Sequence, residues 1–510
     1  MNIMQWLYAQ QCQNPRRAAL YEGDTLVADY RKFAVAVYAL GQKLKQDYQC
    51  LPGDRVVFYS KNRFEYLVAM YAVWWIGGVA TPVNYRLHPK EVEWIIRDTQ
   101  AKLVITSSGE LLAQLVFDLP CQELSLDDIS FASLSEEQDI VPPLSVDNDS
   151  LAWLFYTSGT TGRPKGVMLT HQNLMSMSLC YPVDVNSVSH ADSIYYAAPV
   201  SHGAGLYNFI FTRVGAHHVF PRSGGFDAQE LINHAKGLGN LCFFVAPTIL
   251  KRLTRIAQEQ NYHGEGIKTI VCGGAPLYVA DYLEAEAQLG HVISQIYGQG
   301  ECPMTITSMR QDDIQTKTLT EKKAYVQTVG AAQSCVEVRV VDQAMRDLPL
   351  GESGEIVVKG PVVMKGYWKN PEATQSTIID GWLKTGDVGF LDESGNLTLT
   401  DRSKDVIISG GSNIYPREVE EVLLHHPDIH EVSVVGKEDP EWGEIVTAHI
   451  ATNTGEAIDV DVLKSWCREF IASFKLPKKY YFYKELPKNS YGKIVKAELR
   501  KLMLELSKDR

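Results

Sequence analysis

The chain has 510 residues, of which 45% are hydrophobic and 22% charged, so it is too long for one ordinary core and two or more soluble domains are expected. A net charge of −12 excludes the basic footprint of a nucleic-acid binder, although a local site can oppose the global sign. Nine scattered cysteines without a Cys-x-x-Cys pair exclude a metal ribbon and a secreted disulfide framework, and fit reduced thiols in a cytoplasm.

The N-terminus lacks a basic-then-apolar signal pattern. The one long uncharged run, from Tyr66 to Tyr85, is broken by Gly77, Gly78 and Pro82. A buried helix followed by a buried strand is expected there, not a membrane span. Tyr30 to Lys45 has helical apolar spacing. Arg55 to Tyr59 reads as a strand, Arg63 to Ile76 as a helix, and Val79 to Val83 as a strand. Pro89 to Asp98 reads as a helix and Leu103 to Thr106 as a strand. That alternation predicts a parallel sheet covered by helices. Ser135 to Asp149, acidic and polar around Pro142 and Pro143, reads as a connecting loop.

Leu151 to Phe155 is a short apolar strand that runs into the stretch from Tyr156 to His171. This stretch supplies Gly159, Gly162 and Gly166, the hydroxyls of Thr157, Ser158, Thr160 and Thr161, and the cation Lys165. Glycine lets backbone approach a ligand closely. Backbone N–H groups, hydroxyls and one lysine suit a polyphosphate; the alternative is a plain polar turn. It is not a P-loop, because Pro164 and Lys165 follow Gly162 and Arg163, and Gly166 stands where that motif has its hydroxyl.

A helix is expected from His171 through Cys180, then a strand over 194–198 that ends at Pro199 and the segment His202 to Gly205. His202 there either lines a cleft or is an ordinary loop histidine. Strands over 241–246, 269–272 and 291–297 each end in a turn. These turns are Pro247, which opens a helix, then Gly273 to Leu277, then Gly298 to Glu301. Strands over 336–341, 354–359 and 396–400 form a separate antiparallel part. The charged run Asp401 to Asp405 marks a boundary. Beyond it, helices over 416–425 and 460–470 and strands over 431–436 and 444–451 make a compact α/β segment. The pairs His217–His218 and His425–His426 lack partner ligands at metal spacing. The tail ends in a lysine motif, with Lys493 framed by Pro487 and Gly492.

The Tyr156–His171 loop, the Gly273–Leu277 turn, Tyr297–Glu301, Gly366–Thr374, Gly381–Asp387 and the Lys493 motif resemble, in order, the motifs of the adenylate-forming superfamily. That group contains acyl-CoA synthetases, luciferases and peptide-synthetase adenylation domains. The resemblance implies an α/β protein with a large N-terminal domain, residues 1–403, of parallel α/β sheets plus a small antiparallel β part. A small mobile α/β C-terminal domain, residues 404–510, would carry the catalytic lysine. It implies a cytoplasmic acid–thiol ligase that uses ATP, Mg²⁺ and coenzyme A. A carboxylic acid becomes an acyl-adenylate and then an acyl-CoA, with release of pyrophosphate and AMP.

Roles follow from the same resemblance. Thr157, Ser158, Gly159, Thr160, Thr161, Gly162 and Lys165 would hold the β- and γ-phosphates, and Gly274, Ala275 and Pro276 would lie along the adenine. Tyr297, Gly298 and Gln299 complete the nucleotide site, and Asp387 and Arg402 hold the ribose. Thr160 and Glu301 place Mg²⁺. Lys493 lies between carboxylate and α-phosphate, and His202 borders the acid. The acyl pocket would be His202, Gly203, Ala204, Tyr207, Gly274, Tyr297, Gly298 and Met304, whose small members point to an aryl or medium-to-long acyl group. Lys404 is the hinge, and Gly410, Gly411, Trp442 and Phe474 meet coenzyme A. The chain departs from the pattern at Gly300, where threonine is usual, and at Leu476, where a basic residue is usual. Two other readings stay open: an adenylation enzyme that loads a carrier-protein thiol, and a non-catalytic nucleotide-binding protein.

Overall fold

The computed structural model describes residues 1–107, 121–157, 164–275, 277–402, 405–409, 412–440, 442–471, 473–489 and 492–508. Two large sheets dominate. One has nine strands; its central six, from Ile293–Tyr297 across Ile267–Cys272, Leu241–Val245, Ser193–Tyr195 and His217–Phe220 to Ala18–Glu22, are parallel. The other has seven. Val79–Val83, Arg55–Tyr59, Leu103–Thr106 and Gln122–Ser125 run parallel beside Leu151–Thr157. Strands buried on both faces read as continuous apolar runs, which is why they were legible as strands.

The helices Tyr30–Gln46 and Phe64–Trp75 lie in the largest apolar cluster, which takes side chains from both large sheets, among them Leu20, Val56, Leu103 and Ile194. Asp29 caps the first helix by accepting from Lys32 N. Every residue of Phe64–Trp75 except Glu65 is buried, so the uncharged run is a core helix followed by a core strand. Among the described residues no helix is long and apolar enough to cross a membrane.

A five-stranded antiparallel sheet follows, built on Glu337–Val341, Gly354–Lys359 and the ten-residue strand Trp382–Leu391. The last sheet pairs Ile429–Asp439 with Gly443–Thr452 over nearly their whole length. The strand Lys479–Tyr483 joins it in parallel. This final unit begins with Ile407–Ser409, has its own apolar cluster and is flanked by the helices Pro416–Leu424 and Val460–Arg468. It touches the large part where Tyr278 donates to Glu420 at 3.3 Å and Lys251 to the His430 carbonyl at 3.4 Å.

Several elements differ from the sequence expectation. Lys165–Thr170 is a strand, not loop, because Val167 and Leu169 point into the core. The hairpin Ala18–Glu22/Thr25–Asp29, the strand Lys479–Tyr483 and the helix Lys496–Lys508 were not expected. The His218 ring sits between the hydroxyls of Tyr196, at 2.8 Å, and Thr212, at 3.0 Å.

Candidate active site

Thr157 and Lys165 face each other across an antiparallel hairpin, so the stretch 158–163 joins the ends of two paired strands. Ser158, Gly159, Thr160, Thr161 and Gly162 lie outside the described residues. The base of the hairpin is pinned. Tyr156 donates to Asp98 at 2.5 Å, and the Trp368 indole donates to the Asp98 carbonyl at 3.0 Å. A Cβ at Gly166 would stand 3.0 Å from the Tyr156 ring and 3.2 Å from Trp368, so a side chain there would press on both.

Glu301 follows the strand Ile293–Tyr297, at the carboxyl end of a parallel sheet, where open α/β folds bind ligands. Its backbone carbonyl accepts from Met364 N at 2.8 Å, and its Oε1 accepts from the Tyr367 hydroxyl at 2.7 Å. The Lys165 ammonium lies 4.9 Å from the centroid of the same Tyr367 ring. Burial and the Glu301 charge push the Tyr367 phenol well up, so it stays a donor. The sequence reading placed Tyr367 in a family segment without a role.

On the other side of the turn, Asp387 accepts from Tyr297 at 2.7 Å and from Gln299 at 2.6 Å. Gln299 also donates to the Thr385 carbonyl at 2.8 Å. Burial, then the Asp387 charge, raises the Tyr297 phenol. Arg402 stands opposite Asp387 in the strand pairing. Between the two ends sits Gly300. A Cβ there would lie 2.6 Å from the Thr157 methyl and 3.0 Å from the Phe155 ring. The hairpin therefore fills the volume that a threonine side chain would need. In five residues the turn 297–301 touches the Asp387 carboxylate, the mouth of the hairpin and the Tyr367–Lys165 pair.

The acyl-side residues gather beside this turn. The His202 ring packs on Phe155 with centroids 4.8 Å apart, and its Nδ1 lies 2.9 Å from the Ser201 carbonyl. Burial pushes its pKa down to about 4, so the ring is neutral near pH 7. Not every glycine leaves room. A Cβ at Gly203 would meet the Phe244 ring at 2.9 Å, and one at Gly298 would meet Met304 N at 2.6 Å. Only Gly274, at φ +82°, has nothing nearer than the Phe244 ring edge at 4.0 Å. Tyr207 and Ala204 are buried, and the Tyr207 ring meets Phe244 edge-on at 6.4 Å. Phe244 was missed because its strand is apolar throughout, so no pattern separates it from core. Met304 holds a left-handed φ of 61°, which is uncommon for a non-glycine residue and marks a shaped site. Gln333 secures it by donating to its carbonyl at 2.9 Å.

In the last unit, Asn489 Oδ1 accepts from Lys493 N at 3.0 Å, and Asn489 N donates to the Lys493 carbonyl at 2.8 Å. Gly492, at φ +79°, lies against Thr248, 3.0 Å from a Cβ position to Oγ1. That turn therefore abuts the first turn of the helix Pro247–Glu259, just beyond the strand that carries Phe244. Trp442 lies at the opposite end of the long hairpin, with the Lys478 ammonium 3.6 Å from its ring centroid. Gly443, next to Trp442, pairs with Ser409. Gly410, Gly411, Lys404, Pro276 and the side chains of Arg402 and Phe474 lie outside the described residues.

The AMP-binding enzyme family model matches residues 7–368, and the model of its C-terminal domain matches residues 418–493. The chain belongs to the AMP-binding enzyme family. A feruloyl-CoA synthase of an Amycolatopsis species is 32% identical over 502 residues, covering 97% of this chain and 98% of that one. A 2-succinylbenzoate–CoA ligase of Bacillus licheniformis is 31% identical over 500 residues, covering 98% and 100%. ATP-bound MatB from Rhodopseudomonas palustris superposes with a TM-score of 0.87 at 29% identity, covering 98% of both chains.

This AMP-binding enzyme is an adenylate-forming acid–thiol ligase, and ATP, Mg²⁺ and coenzyme A are the cofactors of its acyl-CoA synthetase class. Glu301 could hold Mg²⁺, a hard cation that takes carboxylate oxygens, while Thr160 lies outside the described residues. Tyr367 holds Glu301 Oε1, while Oε2 accepts no hydrogen bond from a described residue. No cluster of three His, Cys, Asp or Glu exists among the described residues. Mg²⁺ prefers this arrangement, one or two carboxylates plus substrate phosphates and water, over an all-protein cage.

Proposed function

We propose that this AMP-binding enzyme activates an aryl or medium-to-long-chain carboxylic acid as its adenylate and transfers the acyl group to coenzyme A. The observation that carries the reading is the turn 297–301, which links a ribose-type carboxylate to a lysine-bearing phosphate hairpin through consecutive contacts. Its polarity matches a nucleoside triphosphate laid from ribose to γ-phosphate. The aromatic faces of Phe155, His202, Tyr207 and Phe244 favour a flat acid, and the gap at Gly274 leaves space for it.

In the first half-reaction a carboxylate oxygen attacks the α-phosphorus, the bond to the β-phosphate breaks, and pyrophosphate leaves. Asp387 fixes the ribose, the hairpin 157–165 holds the β- and γ-phosphates, and Lys493 offsets charge at the α-phosphate. Bound Mg²⁺ would supply Lewis-acid neutralisation of the phosphates beside Glu301. Catalysis is then positioning and charge stabilisation, without a side-chain nucleophile. In the second half-reaction a thiol attacks the acyl carbon and AMP leaves. The division of labour places residues 1–403 on ATP and acid, and residues 404–510 on Lys493 and the thiol.

The Lys478 ammonium over Trp442 and Leu476 in place of a basic residue favour one second reading, a carrier-protein thiol as acceptor. The test is a panel of carboxylic acids with ATP, Mg²⁺ and hydroxylamine, repeated with free coenzyme A. Acid-dependent hydroxamate together with free acyl-CoA and AMP supports the proposal. Hydroxamate without acyl-CoA moves the acceptor to a carrier protein, and AMP release that ignores the acid rejects the ligase reading.

A further inference from the structure

The short segment 364–368 ties two sheets together where the proposed phosphate and metal residues meet. Met364 N donates to the Glu301 carbonyl at 2.8 Å, Lys365 N to the Met168 carbonyl at 2.9 Å, and Trp368 N to the Gly166 carbonyl at 2.7 Å. Gly366 and Tyr367 pair with Met168 and Val167 as the edge strand of the seven-stranded sheet. Glu301 lies in the loop between Ile293–Tyr297 and Thr307–Met309, two strands of the nine-stranded sheet. One side chain, Tyr367, touches both partners: its hydroxyl donates to Glu301 Oε1 at 2.7 Å, and its ring faces the Lys165 ammonium at 4.9 Å. The backbone of Tyr367 is itself fixed, its N–H donating to Thr374 Oγ1 at 2.9 Å. Among the described residues, no other side chain donates to Glu301.

We infer that Tyr367 is a positioning residue that couples the phosphate-binding lysine to the metal-binding carboxylate, by orienting Glu301 with its hydroxyl and Lys165 with its ring. The inference rests on the proposed roles of Lys165 and Glu301. The physical reason is that a glutamate on a turn has rotamer freedom which a charge-assisted hydrogen bond removes. With Oε1 committed to the phenol, Oε2 is presented in one direction. The ring also gives Lys165 a face on which to rest, and among the described residues no ion pair joins Lys165 to Glu301.

The test uses the full chain and separates the two contacts. Tyr367→Phe keeps the ring and removes the hydroxyl; Tyr367→Leu removes both. ATP binding is measured by calorimetry with excess EDTA and with increasing Mg²⁺. Tyr367→Phe is expected to bind metal-free ATP as the parent does. It should need about tenfold more Mg²⁺ for the metal-dependent gain, the usual cost of a hydrogen bond to a charged group. Tyr367→Leu should weaken metal-free ATP as well. A double-mutant cycle with Glu301→Gln guards against a general loss of packing: in that background Tyr367→Phe should leave the Mg²⁺ requirement unchanged. An unaltered Mg²⁺ requirement in Tyr367→Phe, or multiplying effects in the double variant, would overturn the coupling. If Glu301→Gln alone leaves the Mg²⁺ requirement unchanged, the proposed metal role of Glu301 has failed instead.

Discussion

Lys493 and Phe244 are single residues with opposite legibility, and each carries a prediction. Lys493 stands in the tail turn that abuts Thr248, where it would meet the charge that develops at the α-phosphate. Lys493→Ala should lower acyl-adenylate formation by a factor on the order of 10² or more, while supplied acyl-adenylate is still converted to thioester. Equal loss in both half-reactions would make the lysine structural. Phe244 fills the space over Gly203 and borders the gap at Gly274. Phe244→Ala should lower KM for bulkier acids and raise it for the best parent substrate; an unchanged acid profile would remove Phe244 from the pocket. A third residue, His218, concerns stability. Burial holds its pKa down to about 3, from 6.5, so the unfolded chain binds the proton first as the pH falls. The stability that the neutral ring contributes is complete above about pH 6.5 and is lost progressively toward pH 4, on the order of 3 kcal/mol. Urea unfolding across that range should show a shallower pH slope in His218→Asn than in the parent.

The hairpin Leu151–Thr157/Lys165–Thr170 and the turn 298–301 act as a pair of elements, because Gly300 is their point of contact. Restoring the threonine that the family pattern carries should harm this chain. Its Cβ would stand 2.6 Å from the Thr157 methyl, and overpacking of that kind costs about 1–3 kcal/mol. Gly300→Thr is therefore expected to slow ATP–pyrophosphate exchange about tenfold or more. Thr157→Ser, which deletes the methyl and keeps the hydroxyl, should recover part of the loss when combined with Gly300→Thr. If Gly300→Thr is as active as the parent, the hairpin and the turn are not packed as described.

Across the molecule, two functional ends share one rigid hairpin. Lys488, in the lysine tail, pairs with Glu431 near the start of Ile429–Asp439, and Trp442 lies at the turn beyond Asp439. Eight residue steps of strand run from Glu431 to Asp439, about 27 Å at the usual rise. The Lys493 end and the Trp442 end therefore cannot sit at the same α-phosphate. A rotation of the last unit would exchange them, and the hinge proposed for it is Lys404. Lys404→Pro fixes φ near −65° and should trap one pose. Pyrophosphate exchange is expected to persist while thioester formation collapses, both measured on the same variant. Equal retention of both would place the pivot elsewhere.

The local sequence was enough for those features that depend on local chemistry. Runs such as Val79–Val83 and Leu103–Thr106 are buried on both faces, so apolarity alone revealed them. The proposed phosphate stretch stood out by its glycines, hydroxyls and lysine, whereas Glu301 and Asp387 were singled out by the resemblance of their segments to family motifs, since a lone carboxylate is usually just solvated. What stayed hidden was set by distant partners. Lys165–Thr170 reads as polar loop until Gly366–Tyr367 and Leu151–Thr157 flank it and turn it into a strand. Gly300 looked like a lost contact until Thr157 and Phe155 were found in the vacated volume. Phe244 was indistinguishable from core, and Tyr367 had no role until folding brought a residue 66 positions away within 2.7 Å of its hydroxyl. Residue type is written in the chain, but which side chain fills another's space is decided only when the two large sheets pack together.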